Sequence, residues 1–176
     1  MTEKTPTTEE LKARRRQELF QGDHWVLPPE IWLGGEVAVE LEERLTSLGW
    51  DERQIGLFPL AADEAFINAV MYGSFGINNI EGPDKKIVRE KKAAEFEASG
   101  QFKDRHVCVD LNLTAEEVLV DIIDQGPGFS VAAIPDPTDP SRLLDYTGRG
   151  IDIMKKGCDR AEFKGNTITL YKKRVH

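Results

Sequence analysis

The stretch RHVCVDLNLTAEEVLVDIIDQGPG, residues 105–128, alternates apolar and polar side chains in two runs. RHVCVDLNLT and EEVLVDIID each keep a period of two over a strand's length, the pattern of half-buried strands. They read as antiparallel neighbours joined through a turn at Thr114–Glu117. In the second run Val118, Val120 and Ile122 alternate, and the strand delivers Asp124 to its end. Gly126 and Gly128 then bracket Pro127, and glycines there permit positive φ and a close backbone approach.

Upstream the period changes to that of helices. GGEVAVELEERLTSLG carries an apolar stripe of Val37, Leu41, Leu45 and Leu48, with Gly49 as its stop. Asp51 caps a second helix, ERQIGLFPLAADEAFINAVMYG, in which Pro59 marks a kink or a break. Leu60, Phe66, Ile67, Val70 and Met71 cover a broad face of it, which makes the helix central. Before these, HWVLPPEI reads as a short extended segment broken by Pro28 and Pro29. TTEELKARRRQELF reads as a charged helix with Thr8 at its cap, after a polar and disordered start over residues 1–9. Its Arg14–Arg16 run is a solvated face or, on the sharper reading, a partner-binding arm. Between residues 74 and 104 lies turn chemistry, GINNIEGPD, then a charged helix, DKKIVREKKAAEFEASG, ending at Gly100. It has the look of a surface insertion.

Downstream, QGPGFSVAAIPDPTDPSRLLDYTGRG is a long loop of the length usually kept for function. IDIMKKGCD is a short helix, and AEFKGNTITLYKKR supplies closing strands around a turn at Gly165–Asn166. Helices first, then antiparallel strands, with a helix between the later ones, predict an α+β two-layer sandwich on a mixed, mainly antiparallel sheet. The division is a polar N-terminal extension over 1–22 and one domain over 23–176, with a helical insertion at about 77–103.

The chain has 176 residues, 40% hydrophobic and 31% charged, with a formal net charge of −8. That balance is globular, and its acidity argues against direct nucleic-acid binding while leaving room for a local basic pocket. Cys108 and Cys158 lack CxxC spacing, so neither a disulfide framework nor a zinc site is expected. No apolar run has the length of a membrane span and the first residues have no apolar core of a signal peptide, so a cytoplasmic location is expected. His24, His106 and His176 are scattered, as ordinary strand or surface residues are. Trp25, Trp32 and Trp50 read as packing residues, and Met154 and Phe129 as core.

Three constellations carry chemistry. In DEAFINAVMYG, residues 63–73, Glu64 and Asn68 stand one helical turn apart. A carboxylate can act as a general base and an amide oxygen can ligate a hard cation; the same pair is also an ordinary polar helix edge. Asp124 with Gly126 and Gly128 can accept from an amino group at a strand's mouth, or form a plain turn. TGRGIDIM sets two glycines before a helix start, where unpaired N–H groups favour anions. It is neither a Walker loop nor a dinucleotide motif. Asp152 near that start competes with a phosphate unless it faces away.

In this order and spacing, the sequence resembles the GHKL ATPase superfamily, with its N box, two glycine boxes and Bergerat α/β sandwich. PDPTDPSRLLDYTGRGIDIM and GNTITLYKK resemble more narrowly the anti-sigma-factor serine kinases of bacterial partner-switching systems. The resemblance covers roughly residues 24–173 apart from the insertion. It implies ATP and Mg²⁺ as cofactors, Glu64 as catalytic base and Asn68 as magnesium ligand. It implies that Asp124 accepts from the adenine amino group, that Gly126 and Gly128 shape the adenine pocket, and that Thr147, Gly148, Arg149 and Gly150 close over the phosphates. A purine with a keto oxygen would face Asp124 acceptor to acceptor. In place of the subgroup's frequent His, this chain has Tyr72 before Gly73.

The function implied is a protein serine/threonine kinase that phosphorylates a small anti-sigma-factor antagonist and sequesters a sigma factor or another regulator, as a homodimer. The alternative is a nucleotide-gated binding module without significant kinase activity. The catalytic half of a sensor histidine kinase ranks last, because no helical segment carries a phospho-accepting His.

Overall fold

A computed structural model of the chain describes residues 7–77, 80, 84–127 and 146–175, with residues 85, 86 and 146–149 described by backbone alone. The strands expected at the centre form as read. β2 (Val107–Leu113) and β3 (Glu117–Ile123) pair antiparallel, Cys108 opposite Ile123 and Leu113 opposite Val118. Thr114 organises the turn between them: its hydroxyl accepts the Glu117 N–H at 2.9 Å. β1 (His24–Leu27) joins the outer side of β2, and β5 (Thr167–Lys173) joins β3, with β4 (Arg160–Lys164) at the far edge. The order is β1-β2-β3-β5-β4, and every pair among the described residues is antiparallel. The sandwich stands as expected, and its described sheet is simpler than the mixed one anticipated.

Strand alternation sorts the sheet into two faces. Val107, Val109, Val118, Val120, Ile122 and Leu170 are fully buried under the helices. The opposite face is polar: Asp121 accepts a hydrogen bond from Thr169, and His24 meets Asp110 across β1 and β2. His24 is thus a strand residue, as read, with a carboxylate partner.

The helical layer is α2 (Leu33–Ser47), α3 (Glu52–Ile55), α4 (Phe58–Asn68) and α6 (Tyr146–Gly157). α2 buries Leu33, Val37, Leu41 and Leu45 and stops at Gly49, whose φ is 88°. Leu48 of the expected stripe is instead 37% exposed, because the helix has ended before it can face inward. Asp51 caps α3 with a full capping box, reciprocated by Gln54. The break after α3 falls at Gly56, at φ 53°, not at Pro59. Pro59 sits in the first turn of α4, where its missing N–H leaves no helical bond unmade. α4 is central as expected, with Phe58, Ala61, Ala62, Ala65 and Phe66 fully buried; Leu60, by contrast, points outward at 41% exposure.

Two segments taken as peripheral are tied to this body. α1 (Thr8–Leu19) is capped by Thr7, one residue before the expected cap, so residues 7–9 are ordered; residues 1–6 lie outside the described residues. Its arginines reach across to other elements: Arg15 makes a two-pronged bond to Glu30, and Arg16 meets Glu36, Glu40 and Glu43 of α2. The basic run is thus neutralised within the chain. α5 (Lys85–Ser99) ends at Gly100 in the left-handed conformation, as read. The helix is docked: Ala93 is fully buried, and Phe96 packs on Phe75 and Phe102 at ring separations of 5.6 and 5.0 Å. Glu97 accepts the Ile31 N–H at 2.8 Å. No helix among the described residues is long and apolar enough to cross a membrane.

Candidate functional site

The site lies where the end of α4 meets the end of β3 and the start of α6. α4 places Glu64 and Asn68 one turn apart on its less buried side. Glu64 is half-buried. Burial pushes its carboxyl above the ordinary range, and the charge of neighbouring Asp63 adds to the push. Asp63 is raised too, by burial, with its carboxylate against Gly34 of α2, where a Cβ would overlap it.

After Asn68 the helix does not stop. It widens into a π-helical segment, Ala69–Ser74, closed by a bond from the Phe75 N–H to the Val70 carbonyl at 2.9 Å. Such wide turns are rare and cluster at functional sites. This one carries the backbone of Gly73 onto Asp124. A Cβ on Gly73 would fall on the Asp124 carboxyl group and stand 2.5 Å from its Cβ. From the other side Gly126 closes in, its own Cβ position 2.7 Å from the Gly73 Cα and 2.9 Å from Asp124 Oδ1. Asp124 is clasped between two glycines.

The rest of Asp124 is fixed equally tightly. Oδ1 accepts the Gly126 N–H at 2.6 Å. Its N–H donates to the Asn166 carbonyl at 3.0 Å, and its carbonyl accepts from Asn166 Nδ2 at 2.5 Å. At 7% exposure, burial raises its carboxyl; the Gly126 N–H and the Arg105 charge pull it back. Arg105 is held there by Nη1 bonds to the carbonyls of Ser74, at 2.6 Å, and Gly73, at 3.3 Å. A buried carboxylate held this way is a rigid acceptor.

α6 completes the arrangement, with one correction. The glycines of TGRG do not precede the helix; it starts at Tyr146, so Thr147, Gly148, Arg149 and Gly150 lie within its opening turns. Glycine is a poor helix residue, and the reason for tolerating it is contact with α4. A Cβ on Gly150 would stand 2.8 Å from Glu64 Oε2 and 3.7 Å from Asn68 Nδ2. At the helix's other end, a Cβ on Gly157 would stand 2.7 Å from the Leu57 carbonyl and 3.0 Å from the Ala61 Cβ. Small residues on both helices let them run antiparallel at close range. The positive, N–H-rich end of α6 thereby comes to Glu64 and Asn68. Asp152 does not compete there, being bound by Lys156 at 2.7 Å.

The structure thus sets Glu64 and Asn68 against Gly150, and Asp124 against Gly73 and Gly126, with the π-helical segment joining the two groups; Thr147, Gly148 and Arg149 share the opening turns of α6 with Gly150, and Gly128 and the loop before α6 lie outside the described residues. Sequence reasoning gave no role to Gly73 or Arg105, and took Asn166 only for a turn residue. Their signal is tertiary. Cys158 is buried, and burial pushes its thiol up to about 12.

These residues fit an adenine nucleotide. Any side chain at position 73 or 126 would collide with Asp124 or Gly73 and displace that acceptor. A rigid buried acceptor suits an amino group, an amide oxygen suits a hard cation, and a helix N-terminus suits phosphates. Two buried polar atoms without a hydrogen-bond partner, Ser74 Oγ and Arg89 Nε, are the ones found among the described residues.

A family model described as a histidine kinase-like ATPase domain matches residues 33–172. No curated protein matches the chain. The matched span runs from the first residue of α2 almost to the end of β5 and contains every residue of the site. The chain belongs to the histidine kinase-like ATPase domain family, and its fold is that of an ATP-binding GHKL-type domain.

Proposed function

We propose that this ATP-binding domain is a magnesium-dependent protein serine/threonine kinase of the anti-sigma-factor type. It acts in the cytoplasm as a homodimer, phosphorylates a small anti-sigma-factor antagonist, and holds a sigma factor or similar regulator. The observation that carries the reading is the pairing of Glu64 and Asn68 beneath Gly150, with Asp124 clasped nearby.

Bound ATP would supply the phosphoryl group, with Mg²⁺ neutralising its charge. Asp124 orients the adenine by accepting its amino N–H, and disfavours a keto purine. Asn68 offers the single protein ligand that a magnesium ion on phosphates needs. The N–H groups opening α6 hold the phosphate chain. Glu64 takes the proton of the substrate serine hydroxyl as its oxygen bonds to phosphorus and the bond to the ADP oxygen breaks. Burial and Asp63 raise Glu64's basicity above that of a solvated glutamate, which suits a general base. Positioning supplies the rest, as expected for phosphoryl transfer.

Incubation with labelled ATP and a candidate antagonist tests the reading. Phosphoserine on the antagonist that disappears in Glu64→Ala is the expected result. Tight ATP binding with no transfer to any partner would overturn it in favour of a nucleotide-gated binding module.

A further inference from the structure

Arg89, on the inserted helix α5, is an arginine whose charge is badly placed for a surface residue. Arginines on exposed helices bury their stems and leave the guanidinium in water. Here Nε is buried and has no hydrogen-bond partner. The guanidinium carbon lies over the Tyr72 ring, 5.9 Å from its centroid. No ion pair or hydrogen bond joins Arg89 to another of the described residues. Buried charged donors are normally paired, and an exception calls for a reason.

Its location supplies one. Glu64, Asn68 and Tyr72 follow one another at four-residue spacing along the same helix. Tyr72's phenol is pushed up first by burial, pulled back by the charge of Arg89, and pushed up again by that of Glu64. The cation therefore shares a neighbourhood with the proposed base. Ser74 Oγ, the other unpartnered buried atom, is two residues beyond Tyr72. Gly73, between them, touches Asp124. Both unmade hydrogen bonds thus gather at the same end of the site. A planar guanidinium with free donors beside a nucleotide site matches the phosphate oxygens, which it can engage in two-pronged fashion.

We propose that Arg89 binds the phosphate chain of the nucleotide, so that the inserted helix α5 is a working wall of the ATP site. This rests on the adenine-nucleotide reading above. It gives the insertion a role: Phe96, Phe75 and Phe102 anchor the helix, and Arg89 is delivered over Tyr72.

Calorimetric titration of the full chain in magnesium buffer with ATP, ADP, AMP and adenosine tests it. Arg89→Ala weakens ATP by about ten- to a hundred-fold, the loss of one charged hydrogen-bonding group, and leaves adenosine unchanged. The salt dependence of ATP binding becomes shallower in the variant. Arg89→Lys, which keeps the charge and the stem, falls between, and circular dichroism checks that α5 is retained. Equal ATP affinity in wild type and Arg89→Ala overturns the inference. So does a parallel loss for adenosine, which would mean that Arg89 only packs on Tyr72. If wild type binds ATP, and Asp124→Asn loses it while Arg89→Ala does not, the nucleotide site stands and the role of Arg89 falls. If wild type binds no adenine compound, both fall.

Discussion

Replacing Gly73 by alanine tests the clasp on Asp124 directly. The new methyl would overlap the Asp124 carboxyl group and lie 2.5 Å from its Cβ. Relief by moving the aspartate is blocked on two sides. Its backbone is tied in both directions to Asn166, and Gly126 stands behind it, so close that a Cβ there would lie 2.7 Å from the Gly73 Cα. The carboxylate must swing and release the Gly126 N–H, or the π-helical segment must shift. Overpacking costs about 1–3 kcal/mol, and the loss of a hydrogen bond to a charged group about 1.5–3 kcal/mol. Since the swing relieves part of the overlap, the sum is held to about 2–4 kcal/mol, or roughly 4–16 °C in Tm for a domain of this size. On the proposed role, a displaced Asp124 also gives up its hydrogen bond to the adenine amino group, about ten- to a hundred-fold in ATP affinity. Scanning fluorimetry and titration with ATP read both effects. Gly35→Ala serves as control, since its Cβ would meet nothing within 4 Å; it gains helix propensity and leaves ATP binding alone. A Gly73→Ala variant with the wild-type Tm and affinity would refute the clasp.

Gly150→Ala puts a methyl 2.8 Å from Glu64 Oε2, so phosphoryl transfer is expected to fall by more than ATP affinity does; equal losses in kcat and binding would contradict that. Glu64→Gln is expected to abolish transfer and to raise Tm at neutral pH. Because Glu64's pKa is raised in the fold, the folded state holds its proton to higher pH than the unfolded chain. Stability from this residue is therefore greatest below the ordinary glutamate range and declines as pH rises through the elevated folded value. The Tm difference between Glu64→Gln and wild type should widen over that window and stay flat above it; a difference independent of pH would contradict the assignment. Asp124→Asn keeps an acceptor for Gly126 and adds a donor, so ATP weakens about tenfold or more and discrimination against GTP shrinks, as competition binding will show.

The parts of the fold legible in the sequence are those decided locally. The alternation over residues 107–123 fixed two strands and their turn, and Asp51, Gly49, Gly100 and Gly165 each marked a boundary that short-range geometry enforces. Glu64 and Asn68 were legible as a pair because helical spacing places them together, and the distant glycines gave that pair a context. What could not be read is decided by packing between elements. Propensity argues against starting α6 before two glycines, yet contact with α4 outweighs it. The π-helical turn has no sequence mark, and the contact it makes, Gly73 against Asp124, joins residues 51 apart in the chain. Leu48 and Leu60 fit an apolar stripe on paper, but the end of one helix and the facing of another leave them in solvent. The arginines of α1 gave no hint of Glu30, Glu36, Glu40 and Glu43, partners that only the folded chain brings near.

The two hydrogen bonds between Asp124 and Asn166 tie the end of β3 to the turn of the β4–β5 hairpin. Glu64, Asn68, Gly73 and Asp124 are all synthesised before Asn166 leaves the ribosome. Without the β4–β5 hairpin on β3, the Asp124 backbone lacks both of these hydrogen bonds, and the Gly126 N–H alone holds the carboxylate. A change that loosens the pairing of β5 with β3 therefore loosens the Asp124 acceptor as well.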